Sequence, residues 1–164
     1  MLRWFRFFSL WPLWALHALG ALGGWAAWLL SGSYRRRFLD NARQAGLGWR
    51  AVLGAVGQAG RMSAELPRLW LGRTPPLAWA DDRAAAEAYA QGQGVLFLTP
   101  HMGCFEITAQ ALALRFEAQH GQLTVLYRPA RLAALNEVMA LARNRPGLQA
   151  VPTTLAGVRQ MIKA

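Results

Sequence analysis

The chain has 164 residues, 54% of them hydrophobic and 16% charged, and 18 Lys and Arg against 8 Asp and Glu give a net charge of +10. A chain of roughly 150 residues usually forms one domain with enough length to bury a core. The apolar content excludes a disordered polar tail, and a single cysteine excludes a disulfide scaffold. The charge alone does not imply nucleic acid, because five of the eight Trp (Trp4, Trp11, Trp14, Trp25 and Trp28) fall in the first 28 residues. That concentration points to a membrane first.

Phe7 to Tyr34 is a run of 28 positions without a formal charge. At about 1.5 Å of rise per residue, some 20 helical residues cross a hydrocarbon layer of roughly 30 Å. Phe7 to Leu30 is therefore long enough to span, with Trp4 and Trp28 near its ends where indole rings favour the interface. A cleaved signal peptide would have a shorter apolar stretch and a clear small-residue cleavage site. An interfacial helix or a hairpin is the alternative, since Pro12 and the glycines Gly20, Gly23 and Gly24 interrupt the run. The favoured reading is a retained single-pass anchor over residues 1–34, followed by a body at 35–164. Arg35, Arg36, Arg37 and Arg43 outweigh Arg3 and Arg6, which puts that body on the cytoplasmic side.

Beyond the anchor, Tyr34, Phe38, Ala42, Ala45, Trp49, Val52, Val56 and Ala59 recur every three or four residues, so 34–63 is predicted helical. Gly46 and Gly48 divide it in two. The arginines of this stretch give it a basic face suited to anionic headgroups. Leu66 to Trp79, with Pro67, Pro75 and Pro76, reads as a short turn of helix and a connector. Asp81 or Asp82 caps a helix over 84–90. Val95 to Thr99, bounded by turn signals, is predicted to be a buried strand. A helix from Gly103 to Gln119, a strand at Leu123 to Tyr127 and a helix at Arg131 to Arg143 follow. A short third strand at Gly147 to Val151 and a last helix capped by Thr153 or Thr154 complete the chain. Alternating strands and helices predict an α/β fold with parallel members.

The sharpest local feature is His101-Met102-Gly103-Cys104-Phe105-Glu106, at the end of the first predicted strand. On one continuous helix, five residues turn through about 500° and leave the two side chains roughly 140° apart. With His101 in a strand-to-helix turn and Glu106 in the first turns, the chain can bring them together. The C-terminal end of a parallel strand is where α/β folds place their sites. A carboxylate on one imidazole nitrogen fixes the tautomer, which leaves the other nitrogen to take a proton from a hydroxyl. Spacing alone fits a structural histidine beside an unrelated surface glutamate at least as well.

His-x4-Glu after an apolar strand resembles the His-x4-Asp/Glu motif of glycerolipid-type acyltransferases. The variant here is closer to the late acyltransferases of lipid A biosynthesis, the lauroyl and myristoyl transferases. Those have an N-terminal anchor, a helical region and a strand ending in His-x-Gly-Asn-Trp-Glu or similar. A Tyr-Arg-Pro and an Arg-x-Arg follow. This chain has Tyr127-Arg128-Pro129 and Arg143-Asn144-Arg145 in that order, so the resemblance runs through essentially its whole length. It implies a mixed sheet with flanking helices behind a membrane helix. Cys104-Phe105 replaces Asn-Trp, and the family's later segment, with its Pro-Asp-Gln-like motif, is missing. The expectation is the N-terminal portion of such an enzyme, an incomplete fold.

The resemblance also implies acyl transfer from acyl carrier protein to a hydroxyl of a lipid A precursor. His101 would be the general base, oriented by Glu106. Arg128, Arg143 and Arg145 are the candidates for the oxyanion or for substrate phosphate; solvated charge at helix ends is the alternative. Cys104 offers a rival covalent route, but the family has no such nucleophile and free cysteines are more often small buried hydrophobes. His17 and His120 read as structural. No cofactor is expected beyond the acyl carrier protein thioester, and no Cys/His cluster suggests a metal. The expected partners are acyl carrier protein, the lipid A precursor and an anionic membrane, not nucleic acid. The alternatives are transfer to glycerol phosphate or another lipid, and a non-catalytic membrane- or partner-binding fragment.

Overall fold

Pro12 sets the form of the N-terminal region. A proline inside a helix removes a backbone donor and clashes with the preceding turn. In the computed structural model, which describes every residue except His101, Arg131 and Asn144, the apolar run is accordingly not one helix. It breaks into α1 (Leu2–Ser9) and α2 (Leu13–Leu30). The length available to span falls from the predicted Phe7–Leu30 to the 18 residues of α2. Ser31 then caps α3 (Gly32–Gln44) by accepting from the Tyr34 N–H at 3.3 Å. Gly46, at φ +66°, ends that helix in a conformation that favours glycine, and Leu47 N–H closes on Ala42 O at 2.9 Å. The predicted division at Gly46 and Gly48 is where α4 (Trp49–Leu71) begins.

The chain forms two compact units, Arg3–Gly72 and Arg73–Ala164, the second including Met1–Leu2. In the first, α2 and α4 lie antiparallel, as the order of their partners shows: His17 meets Glu65, Gly24 meets Val56 and Trp28 meets Trp49. The contact is made by backbone. A Cβ on Gly20 would stand 2.6 Å from Gly60 O, and one on Gly24 would stand 2.6 Å from Val56 O. Val52 and Val56 are buried in this contact region. Arg68 Nη1 donates to Trp11 O at 2.8 Å, which satisfies a carbonyl left open at the proline break. The helix α4 also corrects an expectation. It runs through Pro67 to Leu71, where a short turn and connector were predicted. Pro67 withholds one backbone bond, but Leu69 and Trp70 beyond it are buried and Trp70 stacks on Phe5 at 5.7 Å.

The second unit holds α5 (Arg83–Ala90), a 3-10 turn (Phe105–Ile107), α6 (Thr108–His120), β1 (Leu123–Tyr127), α7 (Ala133–Arg143), β2 (Leu148–Pro152) and α8 (Leu155–Ile162). The strands β1 and β2 pair in parallel, Leu123 with Leu148 through Tyr127 with Pro152. Its core joins Leu112, Ala113 and Phe116 of α6, Val138 and Met139 of α7, and Leu148 and Val151 of β2. Gly121 (φ +81°) turns the chain from α6 into β1. Thr154 caps α8 by accepting from Gly157 N–H at 3.2 Å, as expected of one of the two threonines.

The molecule is thus mostly helical with a two-stranded parallel sheet, and the larger mixed sheet is not formed among the described residues. Val95 to Thr99 is the main difference. It forms no strand, and Leu96 and Leu98 are 70% and 87% exposed. Val95 and Phe97 are half-buried, so the segment keeps the two-residue alternation of a strand without a partner. The predicted helix from Gly103 is divided into the 3-10 turn and α6.

Candidate active site

Glu106 sits in the 3-10 turn that leads into α6. Gly103, at φ +54°, lets the chain reverse just before it, and Phe105 N–H donates to Gly103 O at 3.0 Å. A turn therefore leads into the helix at Glu106, but the strand predicted ahead of it is not formed. His101 lies outside the described residues. Cys104 is half-buried beside the turn.

The Glu106 carboxylate is engaged by Arg143, whose Nη2 donates to Oε1 at 3.0 Å. Both side chains are largely withdrawn from water, at 21% and 15% exposure. The same guanidinium lies over the Tyr127 ring, 5.4 Å from its centroid. Two residues on, Arg145 Nη1 donates to Gln110 Oε1 at 3.1 Å and to Thr74 Oγ1 at 3.5 Å. Gln110 is buried, and burial lowers the Arg145 pKa from its ordinary value. Glu106 and Gln110 are one helical turn apart, so the Arg-x-Arg pair grips successive turns at the start of α6. Neither arginine is a solvated helix-end charge. Arg128 is different: it is exposed, directly after the end of β1.

One residue that the sequence reading missed shapes this edge. Asn136 in the first turn of α7 accepts from Ala130 N–H at 2.7 Å and donates to Ala130 O at 3.0 Å. This two-way amide bond pins the loop that follows Tyr127 and carries Arg128-Pro129. The signal was an amide side chain early in a helix that follows a proline-containing loop.

A cavity of about 720 Å³ opens beside the 3-10 turn. Ile107, Ala111 and Leu112 form one wall, Ala85 and Ala88 of α5 another, and Trp79 and Phe97 also line it. Asp81 and Asp82 also line it, but Arg83 and Arg115 hold their carboxylates at 2.8 and 2.6 Å. A mostly apolar space of this kind suits a hydrocarbon chain. His120 stacks on Tyr89 at 4.3 Å, which fits its structural reading. Among the described residues, no three His, Cys, Asp or Glu side chains gather to hold a metal.

A model of the family described as bacterial lipid A biosynthesis acyltransferase matches residues 74–164. That stretch contains His101, Glu106, the Tyr-Arg-Pro and the Arg-x-Arg, and it begins one residue into the second compact unit. Comparisons with curated proteins and with solved structures give no match.

Proposed function

The chain belongs to the bacterial lipid A biosynthesis acyltransferase family, and from that premise we propose that it moves a fatty acyl chain from acyl carrier protein to a hydroxyl of a lipid A precursor. In this reading residues 1–34 anchor the chain at the inner membrane, and residues 35–164 belong to the acyltransferase domain, on the cytoplasmic face. His101 takes the hydroxyl proton as the oxygen attacks the thioester carbonyl. A C–O bond forms, the C–S bond breaks, and the proton passes to the departing thiolate. Glu106 holds the imidazole in the required tautomer and stabilises its cation.

The observation that carries the reading is the family match over the segment where Glu106 is held by Arg143 in a dehydrated setting. A carboxylate has two oxygens and several lone pairs, so one arginine and one imidazole can share it. Arg143 is then a positioning residue for Glu106, and Arg145 fixes the next turn. Exposed Arg128 is left for substrate phosphate or the developing oxyanion, both of which suit a guanidinium. The apolar cavity beside Ile107 takes the acyl chain.

The test is acyl transfer from acyl carrier protein to a lipid A precursor by the 164-residue chain and its variants. His101→Ala is expected to lose about 10²–10⁴-fold in rate, and Arg128→Ala to raise KM more than it lowers kcat. Full activity in His101→Ala overturns the mechanism, and an inert parent chain overturns the proposal that these residues suffice for the transfer. Transfer to glycerol phosphate in preference to the lipid A precursor overturns the acceptor.

A further inference from the structure

The N-terminal unit has two unlike faces. Every exposed position of α2 is apolar, and Trp14, Leu22 and Leu30 stand out at 75%, 68% and 87% exposure. Trp4 and Phe7 of α1 and Leu10 after it are exposed as well. The exposed side of α4 carries charge instead: Arg50, Gln58 and Arg61 share one stripe at helical spacing, with exposed Ala51 and Gly54 among them. Trp49 and Met62 only flank this stripe.

A lone α2 would be long enough to cross a bilayer, but α2 is not alone. Gly20 and Gly24 meet Gly60 and Val56 backbone to backbone, and His17 Nε2 lies 2.6 Å from Glu65 Oε1. Arg68 holds the Trp11 carbonyl. If α2 crossed, α4 would cross with it and carry exposed Arg50, Gln58 and Arg61 into hydrocarbon, where arginine is among the costliest side chains. If α4 stayed behind, the glycine contact, the His17–Glu65 pair and the Arg68 bond would all be lost. Lying flat avoids both penalties. An apolar face on one side, a polar face on the other and arginines around the edge are the marks of a helix pair seated in the interface. Arg3, Arg6, Arg36 and Arg37 are exposed and supply the edge charge that anionic headgroups attract.

We propose that this unit is a monotopic wedge: α1 and α2 sink their exposed apolar face into one leaflet of an anionic phospholipid bilayer, α4 rides on the water side, and both ends of the chain stay on one side of the membrane. The inference concerns the anchor alone and stands whether or not the chain transfers acyl groups.

The test uses the full chain in bacterial cells, with different epitope tags at its two ends. Protease is added to spheroplasts and to inverted membrane vesicles. Both tags are expected to survive in spheroplasts and to be digested in inverted vesicles. Digestion of the N-terminal tag in spheroplasts, with the other protected, means a span and overturns the proposal. The second arm measures binding of purified chain to vesicles of phosphatidylethanolamine and phosphatidylglycerol. Leu22→Lys and Leu30→Lys, both at exposed positions, are expected to weaken binding roughly tenfold each, while Gln58→Lys leaves it unchanged or stronger. Equal loss in Gln58→Lys overturns the assignment of faces. A lipid-free dimer broken by Leu22→Lys, with vesicle binding unaffected, gives the apolar face to a second copy and also overturns it.

Discussion

In the unit Arg3–Gly72 the closest contacts join backbone to backbone, whereas in Arg73–Ala164 the polar edge of the sheet is assembled from side chains. Gly20, Gly24 and Gly60 let α2 and α4 approach until carbonyl oxygens face the opposing chain. Arg143, Arg145 and Asn136 instead reach across to Glu106, Gln110 and Ala130. Backbone contact tolerates no added atom, while side-chain contact degrades by degrees. The same residue type shows the contrast: Arg68 satisfies a carbonyl at a helix break, and Arg143 holds a carboxylate at the candidate site. Only the second unit coincides with the family match, and beside its side-chain bonds it holds one backbone contact of the first kind, Gly157 against the Pro152 carbonyl oxygen.

The comparison is most sharply tested at Gly60, where a Cβ would run into the Gly20 carbonyl oxygen and stand 2.8 Å from Gly24 Cα. Gly60→Leu is expected to destabilise the N-terminal unit by about 3 kcal/mol or more, measured by denaturant unfolding of the chain in detergent. A near-neutral result would mean that the two helices are not held by that contact. Next in size is Arg143→Met, which takes a charged partner from a largely buried carboxylate and is expected to cost about 2 kcal/mol. Arg143→Lys should recover part of it, since an ammonium keeps the charge without the fork. If Lys recovers nothing, the site is less adjustable than its side-chain construction implies. Smallest is Thr154→Ala, which removes the cap of α8 and is expected to cost about 1 kcal/mol by thermal unfolding. A much larger loss would place α8 in the cooperative core of its unit.

Where local signals and tertiary packing agree, the sequence was easy to read. Leu123 to Tyr127 is β1 without adjustment, the glycines at 46 and 48 mark a real break, and a threonine caps the last helix. The site was half legible. The turn at Gly103 and the position of Glu106 followed from residue type and spacing, but the Arg143 partner lies 37 positions away and no local pattern announces it. Val95 to Thr99 has strand composition, yet strand formation needs a second chain segment to complete its hydrogen bonds. Among the described residues none pairs with it. Pro67 failed in the opposite direction, because burial of Leu69 and Trp70 outweighs one missing backbone bond. The glycines of α2 stood out in the sequence as interruptions of the apolar run, when the position of Gly20 and Gly24 against Gly60 gives those two a packing role.

The contact at Gly60 has a consequence for how relatives of this chain would record it. When two side chains touch, a change in one can be answered by a change in the other, and the pair leaves a correlated trace across sequences. Here the obstruction is a carbonyl oxygen, which every amino acid carries alike. No substitution at position 20 can withdraw it. The contact is therefore expected to appear as a fixed column at position 60 rather than as coupled variation between two positions. Methods that infer proximity from covariation would pass over the closest approach in the N-terminal unit.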